Sequence, residues 1–383
     1  MHIAIDLRPL ISPYKTGIGE YTSELLKAIL TLDRKNNYYL FSNSLKKDDR
    51  EIKKFTGPNV QFISTNWPNK LFNGLITSCR FPKIDTIINK KFNIKLDYFF
   101  SPNLNFNAFS KNTKFVLTVH DVSFKIYPQF FSTKQRMWHR LIKPQNQCEK
   151  ADVILTPSEN TKRDLSNIFK ITPEKIKVIY PGLAEIFTNK NLSATNEEVI
   201  KKYQLPHNFI FFLGTSEPRK NLLGLIKAFE SVEPHLDTNL VIAGASGWKQ
   251  KNIFKHLAVS KFKNKIKILD YVAPEEKPAL YSLAKVFVYP SFYEGFGFPV
   301  LEAMSSGVPV VTSNRSSLPE ITGENAYLVN PHKIHEIARA IEIVFSNTEM
   351  RNKLINNGLE ATQKYSWKKA AEEWFEALGI TYE

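Results

Sequence analysis

The chain has 383 residues, of which 43% are hydrophobic and 23% charged, and its 52 Lys/Arg outnumber its 37 Asp/Glu to give a net charge of +15. This length predicts two domains, and the apolar fraction is large enough for a hydrophobic core in each. The composition excludes low-complexity and short-repeat classes, and no apolar run approaches the ~18 residues of a transmembrane helix.

The positive charge lies almost entirely in one half of the chain. Residues 1–190 hold 30 Lys/Arg against 16 Asp/Glu, whereas residues 191–383 hold 22 against 21. A basic half indicates an anionic partner, which could be an anionic membrane surface, a lipid diphosphate or a nucleic acid. The alternative is the solvated face of a lysine-rich protein, and the residue pattern leaves both open.

The cysteines and the first residues bear on the cellular compartment. Cys79 and Cys148 lie far apart and match no metal-binding or redox spacing. We expect two thiols in a reducing compartment, with a disulfide as the open alternative. In residues 1–8 the apolar run is too short for a signal peptide, and charged residues interrupt it too early. We therefore expect a cytoplasmic protein.

Apolar runs in the first half predict strands that alternate with helices. A loop with Gly17 and Gly19 follows the first of them and precedes a helix over about 21–32. Such alternation is typical of parallel sheets built from βα units, whose ligands lie at the carboxyl ends of the strands. The predicted strands are 3–6, 38–41, 60–63, 98–100, 115–119, 153–155 and 177–180.

The same pattern restarts after a polar segment, 186–208, which is predicted to be a linker. A helix is predicted from about Leu222, and the chain ends in a helix, 366–383, whose aromatic residues give it one apolar face. We expect an α/β protein with one domain over 1–185 and a second over 186–365. The predicted strands of the second half are 209–213, 240–243, 266–269, 286–289 and 309–312.

Three strand ends in the first half carry candidate site residues. The turn at Gly17 and Gly19 lets the backbone approach a ligand, although a plain tight turn explains it equally well. His120 and Asp121 follow a strongly apolar strand, where such folds place their chemistry. The alternative for His120 is a structural role. Ser158 begins a helix, and we interpret it first as the N-cap, with a role near a substrate as the second interpretation.

The loop 214–221 follows the first strand of the second half and precedes a helix. A nucleotide diphosphate held without a metal needs cations beside backbone amides. Arg219 supplies a planar fork for phosphate oxygens and Lys220 a point charge. Gly214 opens the loop, and Asn221 fits as the N-cap of the helix. A polar connection without a ligand is the alternative.

The segment 294–302 is predicted to be a glycine turn between a buried strand and a helix. Pro299 is predicted to be the first helical residue, which leaves the amides near Val300 and Leu301 free to bind an anion at the helix N-terminus. Glu302 is expected to accept two ribose hydroxyls. Glu294 is expected at the mouth of the site, free to hold sugar hydroxyls. Two exposed glutamates in a plain connection are the alternative.

Glu294 and Glu302, separated by seven residues, together with the loop 214–221, make the chain resemble the retaining, family 4-like glycosyltransferases (glycosyl transferases group 1). The likeness covers nearly the whole chain and is strongest over 209–330. The loop 214–221 and the stretch Ser316–Glu320 look most like mannosyltransferases of surface polysaccharide and O-antigen biosynthesis. The resemblance implies a GT-B fold, in which two Rossmann-like doubly wound domains face each other across a cleft. It also implies that the final helix packs back onto the first domain.

The resemblance also implies roles for single residues. Asp270 stands where relatives have a glycine before Tyr271 and Val272, and Thr215 stands where many members have Arg, so these two contacts depart from the family pattern. The implied catalytic residues are His120, Asp121 and Glu294, and the implied acceptor-side residue is Ser158. The implied donor-binding residues are Gly17, Gly19, Gly214, Arg219, Lys220, Val272, Gly295, Phe296, Gly297, Val300, Leu301 and Glu302.

The activity implied by the resemblance is transfer of a sugar from a nucleotide-diphosphate sugar with retention at the anomeric carbon, without a metal or any other cofactor. We expect GDP-mannose as the donor and a lipid-linked or core oligosaccharide as the acceptor. The basic N-terminal half would then sit on the inner face of the cell membrane, with 130–143 as a candidate contact or an ordinary packed helix. The alternatives are a UDP-sugar-dependent transferase, a nucleotide-sugar epimerase of the same architecture, and a basic nucleic-acid-binding protein.

Overall fold

The structure is a computed structural model that describes residues 1–11, 16–44, 52–189, 193–245 and 247–382. The chain divides into two compact units. The first unit contains 1–124, 133–182 and 366–383, and the second contains 125–132 and 183–365. No helix among the described residues is long and apolar enough to cross a membrane.

The first unit is built on a parallel sheet of seven strands within the described residues, in the order β3-β2-β1-β4-β5-β6-β7. Its strands are apolar and mostly buried because helices cover both faces of a parallel sheet. The strands are β1 His2–Asp6, β2 Asn37–Ser42, β3 Val60–Ser64, β4 Tyr98–Ser101, β5 Lys114–Thr118, β6 Val153–Thr156 and β7 Ile176–Val178.

The helices of the first unit connect these strands as the sequence predicts for βα units. The predicted strands of this half are all confirmed, but helix α1 begins at Gly17 instead of about Tyr21. The helices are α1 Gly17–Leu32, α2 Asn69–Cys79, α3 Ile84–Phe92, the short α4 Ser123–Ile126 where the chain leaves the unit, α5 Thr133–Ile142, α6 Pro144–Lys150 and α7 Glu159–Phe169.

The second unit is built on a parallel sheet of six described strands in the order β10-β9-β8-β11-β12-β13. The five predicted strands are confirmed, and β13 was not predicted. The strands are β8 Phe209–Leu213, β9 Asn239–Ala243, β10 Ile266–Leu269, β11 Val286–Tyr289, β12 Val310–Ser313 and β13 Tyr327–Val329. The helices are α8 Asn196–Tyr203, α9 Leu222–Leu236, α10 Lys251–Val259, α11 Lys277–Leu283, α12 Phe298–Ser305, α13 Leu318–Thr322, α14 Ile334–Ser346 and α15 Thr348–Thr362.

The segment predicted as a linker holds a helix. Helix α8 lies inside 186–208 and begins with a capping box, in which Thr195 accepts from the amide of Glu198 and the Glu198 carboxylate accepts from the amide of Thr195. The linker prediction is therefore wrong for this stretch. The abundance of Asn, Ser and Thr there reflects helix capping as well as chain connection, because these residues favour N-caps.

The last helix, α16 Trp367–Leu378, belongs to the first unit. Trp374 is fully buried and its ring lies 5.6 Å from that of Phe100 on β4. The Tyr98 hydroxyl donates to the carbonyl of Leu378 at 3.0 Å. The apolar face predicted for this helix therefore packs against the sheet of the first unit.

Gly182, the last residue of the second segment of the first unit, makes a close approach to the start of α16. A Cβ at this position would lie 2.2 Å from the backbone nitrogen of Trp367. We predict that Gly182→Ala lowers the free energy of unfolding by about 3 kcal/mol, because a backbone contact this short forces α16 away from the sheet. Thermal unfolding followed by circular dichroism measures the change.

Gly74→Ala is the matched control for Gly182→Ala. Gly74 lies in helix α2, and a Cβ there would meet no atom within 4 Å in the part of the chain that the structure describes. Alanine is the better helix former, so this change should stabilise the protein by about 0.5–1 kcal/mol. An unchanged unfolding temperature for Gly182→Ala would contradict the close packing of α16.

Candidate functional site

The two loops that carry the strongest sequence motifs meet at the switch point of the second sheet. Strand β8 pairs with β9 on one side and with β11 on the other, so the connections from β8 and β11 leave in opposite directions. A crevice opens at the carboxyl ends of the strands at such a point. The loop 214–221 follows β8, and the loop 290–297 follows β11.

The predicted strand, glycine turn and helix around the two glutamates are confirmed. β11 ends at Tyr289 and α12 begins at Phe298, so Pro299 is the second helical residue instead of the first. Gly297 has φ +119°, and a Cβ there would lie 2.7 Å from Cδ2 of Leu318. A glycine is therefore required where the chain turns into the helix.

Glu294 is buried and does not lie free at the mouth of the site, so this part of the prediction is wrong. Its Oε1 accepts from Nζ of Lys220 at 2.7 Å and from the Ser291 hydroxyl at 2.6 Å. The Tyr289 hydroxyl also lies 3.1 Å from Oε1. Its Oε2 accepts from Nη1 of Arg219 at 2.8 Å. The carboxylate is buried because two cations and two hydroxyls replace its water shell.

The charges of this cluster shift the pKa values of its members. Burial alone would raise the pKa of Glu294, but the charges of Arg219 and Lys220 outweigh burial and lower it to about 2. Burial lowers the pKa of Lys220, with a further contribution from Arg219, while Glu294 opposes that change. The pKa values of Glu294 and Lys220 are thus both lowered, although an ion pair alone would raise the pKa of Lys220. Since the ammonium lies 2.7 Å from the carboxylate, we take both groups as ionised at neutral pH.

Arg219 joins the two loops through further contacts that the sequence did not indicate. Its Nη2 donates to Glu217 at 2.7 Å and its Nη1 to the carbonyl of Tyr293 at 2.8 Å. Its own carbonyl accepts from the amide of Phe292 at 2.8 Å, and the Ser291 hydroxyl lies 3.0 Å from the same carbonyl. The guanidinium therefore fixes the loop after β8 against the loop after β11.

Asn221 precedes α9 but does not cap it. Its φ of +56° is left-handed, and its side-chain amide donates to the carbonyl of Pro331 at 2.7 Å instead of accepting from the helix. The N-cap prediction is wrong because an N-cap needs extended backbone, which the left-handed Asn221 lacks. Asn221 ties the loop to the segment after β13.

Glu302 is also buried, one turn into α12. Its Oε2 accepts from the hydroxyl of Tyr281 at 2.8 Å, and its Oε1 lies 3.3 Å from Nζ of Lys277. Helix α11 supplies both partners from positions four residues apart, which share one helical face. A ribose at this carboxylate would join or replace these contacts.

The amides of Val300 and Leu301 are not free, which contradicts the predicted anion site. Both donate to the carbonyl of Gly297, at 3.0 and 3.2 Å. They are satisfied because α12 begins at Phe298, one residue earlier than predicted. The helix dipole still points toward the loop 294–297, but these two backbone donors are used within the helix.

Two serines hold the backbone of the loop 294–297 from the side of β12. The amide of Glu294 donates to the hydroxyl of Ser316 at 2.8 Å. The hydroxyl of Ser317 lies 3.0 Å from the carbonyl of Glu294 and 2.7 Å from that of Phe296. Phe296 is buried between Phe298 and Tyr365, with Gly295 beside it in the loop. The loop is thus fixed in place before any ligand binds.

The other predicted donor residues of this unit line the same edge of the sheet. Gly214 donates to the carbonyl of Ala243 at 2.9 Å, and a Cβ on Gly244 (φ +133°) would lie 2.3 Å from the Gly214 carbonyl oxygen. The two chain segments therefore cross at backbone contact after β8 and β9. Val272 is buried just after β10.

In the first unit, the predicted glycine loop is the first turn of a helix. Thr16 is the N-cap of α1, and its hydroxyl accepts from the amide of Gly19 at 3.2 Å. Gly17 is the first helical residue, and a Cβ there would meet no atom of the described residues within 4 Å. The loop interpretation is wrong because threonine caps favour helix initiation at this point.

His120 lies after β5 with its ring held by two neighbours. Its Nε2 lies 2.8 Å from the carbonyl of Pro102, which can only accept, so Nε2 carries a proton. The Tyr21 ring packs edge-on at 4.7 Å. Burial lowers the pKa of His120, and the Pro102 carbonyl and Asp121 oppose that change. The ring is therefore neutral at physiological pH.

The side chains of Asp121 and Ser158 both accept hydrogen bonds at the start of a helix. The Asp121 carboxylate accepts from the amide of Ser123 at 2.8 Å and from its hydroxyl, so its hydrogen bonds go to α4 and not to His120. The Ser158 hydroxyl accepts from the amide of Thr161 at 3.1 Å and caps α7, as predicted. The hydroxyl of Thr161 in turn lies 3.3 Å from the carbonyl of His120, which links the two strand ends.

Among the described residues, no group of three or more His, Cys, Asp or Glu side chains is placed to hold a metal ion. The cations at the carboxyl ends of β8 and β11 are Arg219 and Lys220. The functional residues missed by the sequence reasoning are Glu217, Tyr289 and Ser291, together with the Lys277 and Tyr281 pair. The spacing of Ser291 and Glu294, three residues apart in a turn, was a signal that could have indicated their contact.

Two family models and several known proteins resemble this chain. The model for glycosyltransferase family 4 matches residues 17–184, and the model for glycosyl transferases group 1 matches residues 195–361. The O-antigen chain mannosyltransferase B of Escherichia coli is 31% identical over 268 residues, which are 69% of this chain and 70% of that protein. The two models together span nearly the whole chain.

Solved structures share the fold over the whole chain. Sucrose-phosphate synthase from Thermosynechococcus elongatus has a TM-score of 0.75 at 19% identity, and the match covers 99% of this chain and 98% of the synthase chain. Anabaena HepE in complex with UDP and glucose has a TM-score of 0.72 at 19% identity and covers 99% of both chains. The fold is therefore of the GT-B type, with one parallel-sheet α/β unit in each half, as predicted.

The low pKa of Glu294 predicts how acid affects stability. A carboxyl group whose pKa falls from 4.5 to about 2 on folding stabilises the protein fully above pH ~4.5, and this contribution is lost as the pH falls toward ~2. We predict that Glu294→Gln lowers the free energy of unfolding at pH ~7 by about 3 kcal/mol, because Arg219 and Lys220 stay buried without their anion. The deficit relative to wild type should shrink between pH ~4.5 and pH ~2.

Unfolding temperatures of both proteins across this pH range give the measurement. Glu197→Gln, an exposed change on α8, should leave the difference from wild type near zero throughout. A Glu294→Gln deficit that stays constant with pH would show that the carboxylate does not titrate with a lowered pKa.

Tyr289 holds the same ion cluster from the end of β11. Its hydroxyl contacts Nζ of Lys220 and lies 3.1 Å from Glu294, and burial raises its pKa well above the ordinary value. We predict that Tyr289→Phe lowers the free energy of unfolding by about 1–2 kcal/mol, because Lys220 loses a buried acceptor. Tyr327→Phe on β13, where the hydroxyl has no hydrogen bond within the described residues, should be near neutral. Equal losses for the two variants in denaturant unfolding would refute this role.

Proposed function

This chain belongs to the group 1 glycosyltransferases with a family 4 N-terminal region, and on that premise we propose that it transfers mannose from GDP-mannose to a lipid-linked or core oligosaccharide. The product would be part of a cell-surface polysaccharide or lipopolysaccharide. The support for mannose is the likeness to an O-antigen chain mannosyltransferase of Escherichia coli, 31% identical over 69% of this chain.

The observation that carries the proposal is the buried cluster of Arg219, Lys220 and Glu294 at the switch point of the second sheet. A diphosphate needs cations that are already in position, since ordering them on binding would cost affinity. Glu294 holds both cations: Nη1 of Arg219 lies 2.8 Å from one carboxylate oxygen, and Nζ of Lys220 lies 2.7 Å from the other. Its first role is therefore to fix the cations, and a sugar hydroxyl would bind by sharing its hydrogen bonds.

The negative charge that develops on the leaving diphosphate would be stabilised by the same two cations. In many enzymes, preorganised charges aimed at the developing charge lower the reaction barrier more than any other single effect. Arg219 can bind two phosphate oxygens with its planar fork, and Lys220 acts as a point charge. We propose that these two residues supply the electrostatic stabilisation, so that catalysis needs no metal.

Glu302 would bind the ribose of the donor. Among the described residues its Oε1 has only the longer contact, 3.3 Å to Lys277, and can accept a hydroxyl while Oε2 keeps its bond to Tyr281. In the first unit, the neutral ring of His120 is proposed to bind a sugar hydroxyl. Its Nε2 proton is held by Pro102, which leaves Nδ1 as the acceptor for a sugar hydroxyl.

Retention by double displacement would need a carboxylate nucleophile under the anomeric carbon. Glu294 is held by two cations and Asp121 by Ser123, so neither carboxylate is poised to attack. We propose instead a front-face attack, in which the acceptor hydroxyl replaces the diphosphate on the same face. The leaving phosphate oxygen takes the proton from that hydroxyl, so the bond formed, the bond broken and the proton balance.

A lipid-linked acceptor would bring the protein to a membrane. The first unit carries most of the excess positive charge, and helix α5 exposes Met137 and Leu141 four residues apart, beside Arg136 and Arg140. We propose α5 as the part of segment 130–143 that contacts anionic lipid, since cations flanking exposed apolar residues suit a bilayer interface. Trp138 packs against Phe106 instead, with ring centroids 6.3 Å apart.

A UDP-hexose is the second candidate donor. The observation in its favour is the structural likeness to HepE, whose structure holds UDP and glucose, at a TM-score of 0.72.

Asp270 favours GDP instead. It directly follows β10, close to the expected position of the base, and its carboxylate would favour a base that offers N–H donors, as guanine does. The nucleic-acid-binding alternative finds no support in these motifs.

The nucleotide preference can be tested by thermal unfolding against GDP-, UDP-, ADP- and dTDP-sugars without added metal. We predict that GDP-mannose raises the unfolding temperature, since a ligand at about 100 times its Kd stabilises by about 2.7 kcal/mol. Lys220→Ala and Glu302→Ala should abolish the shift. Lys265→Ala, which removes an exposed pair with Asp237, should keep it.

A shift with UDP-sugars alone would overturn the choice of donor. A shift with no nucleotide, together with wild-type folding, would overturn the proposed site. Product formed from the nucleotide sugar without an acceptor would instead favour the epimerase.

A further inference from the structure

The balanced charge of the second half hides a local concentration of lysine. Residues 247–269 contain seven lysines and no Asp or Glu, although residues 191–383 as a whole hold 22 Lys/Arg against 21 Asp/Glu. This stretch includes α10 and the edge strand β10. One side of the second unit is therefore strongly cationic, while the rest of this half of the chain is acidic.

Helix α10 directs its lysines and two apolar side chains away from the protein. Ile253, His256 and Leu257 are its partly buried side chains, and they turn toward the unit. Lys251 and Lys255, four residues apart, lie on the opposite face of the helix. Phe254 and Val259 flank them and are 54% and 81% exposed. Neither side chain is buried by the part of the chain that the structure describes.

Two of the acids near α10 already have partners. Glu230 accepts from His256 at 2.8 Å, and Asp237 lies 2.7 Å from Lys265. Lys251, Lys255, Lys261 and Lys263 have no ion-pair or hydrogen-bond partner among the described residues. Their charge is therefore available to an external anion.

The apolar surface continues beside the helix. An open groove of about 640 Å³ runs along α10 and is lined by Lys249, Lys251, Phe254 and Lys255. Ile268 on the edge strand β10 is 51% exposed. Phe254 and Ile268 line one small cavity, which also contains the acidic side chain of Asp270.

We propose that this α10 surface, formed by Lys251, Phe254, Lys255, Val259 and Lys261, docks on an anionic lipid bilayer. Lysines attract the protein to anionic headgroups, and the two apolar side chains insert at the boundary between headgroups and acyl chains. The stretch 247–269 has no arginine, whose planar fork suits the phosphates of a defined ligand. A nucleic acid would leave Val259 in water, whereas a bilayer buries it together with Phe254.

The inference rests on the second unit alone and does not depend on the α5 contact. It places a lipid-binding surface in the half of the chain whose overall charge gives no sign of one.

Cosedimentation with vesicles of phosphatidylcholine and phosphatidylglycerol, about 3:1, tests the proposal on the full chain. Lys251→Glu/Lys255→Glu should weaken partitioning at least about tenfold, since each lysine near an anionic surface contributes to binding and the reversed charges repel it. Phe254→Ser should weaken it severalfold at unchanged charge. Residues of α5 stay wild type in all variants.

The control is Lys201→Glu/Lys353→Glu, which makes the same change in net charge at exposed positions on α8 and α15. It should bind vesicles almost as wild type does. All variants should keep the wild-type unfolding temperature, and the lysine variants and the control should also keep its shift with GDP-mannose, which separates a failure of this surface from a failure of the proposed function.

Three results would overturn the proposal. The first is wild-type partitioning for Lys251→Glu/Lys255→Glu. The second is an equal loss in the control pair, because net charge alone would then explain binding. The third is an equally strong, salt-sensitive affinity for a random RNA oligomer that Phe254→Ser leaves unchanged, which would identify a general polyanion surface.

Discussion

The buried ion cluster of Arg219, Lys220 and Glu294 is the constraint on which the site depends. Three charges with little access to water are stable only if their partners and geometry are fixed, since an unpaired buried charge costs several kcal/mol. Glu217, Tyr289 and Ser291 supply the remaining hydrogen bonds. The cluster therefore locks two loops, from β8 and β11, into one arrangement before a ligand arrives.

The topology of the sheet explains why the cluster forms at this place. β8 and β11 are neighbours in the sheet but far apart in sequence, and the switch in chain direction between them leaves room at their carboxyl ends. Ser316 and Ser317 brace the second loop from outside, and Tyr281 and Lys277 brace Glu302. Positions of charge in the site are thus set by the backbone of the whole sheet, which suits a reaction that relies on electrostatic stabilisation.

Much of the fold was predictable because it depends on local patterns. Apolar runs of three to five residues predict every described strand except β13, Tyr327–Val329. The pairing of Glu294 with Arg219 and Lys220 was not predictable, because it joins residues about 75 positions apart through the register of the sheet. Glu294 is buried although loop residues are usually exposed, and its ion pairs with Arg219 and Lys220 explain this burial.

Errors at the helix starts have a common cause. Helices α1 and α12 begin earlier than their apolar patterns, since capping by Thr16 and the left-handed Gly297 decides where each helix starts. The early start of α12 turned the predicted free amides of Val300 and Leu301 into helical hydrogen bonds. Short-range capping thus changed the expected chemistry of the site, although the motif was identified correctly.

The central claim is that Lys220 and Glu294 act as one unit in binding the donor diphosphate. A double-mutant cycle on GDP affinity tests it, with titration calorimetry of wild type, Lys220→Met, Glu294→Gln and the double variant. We predict strong coupling, in which the double variant binds GDP about as weakly as Lys220→Met alone and the coupling energy exceeds about 1 kcal/mol. Losses that add within about 0.5 kcal/mol would show that the two residues act independently and would contradict this claim.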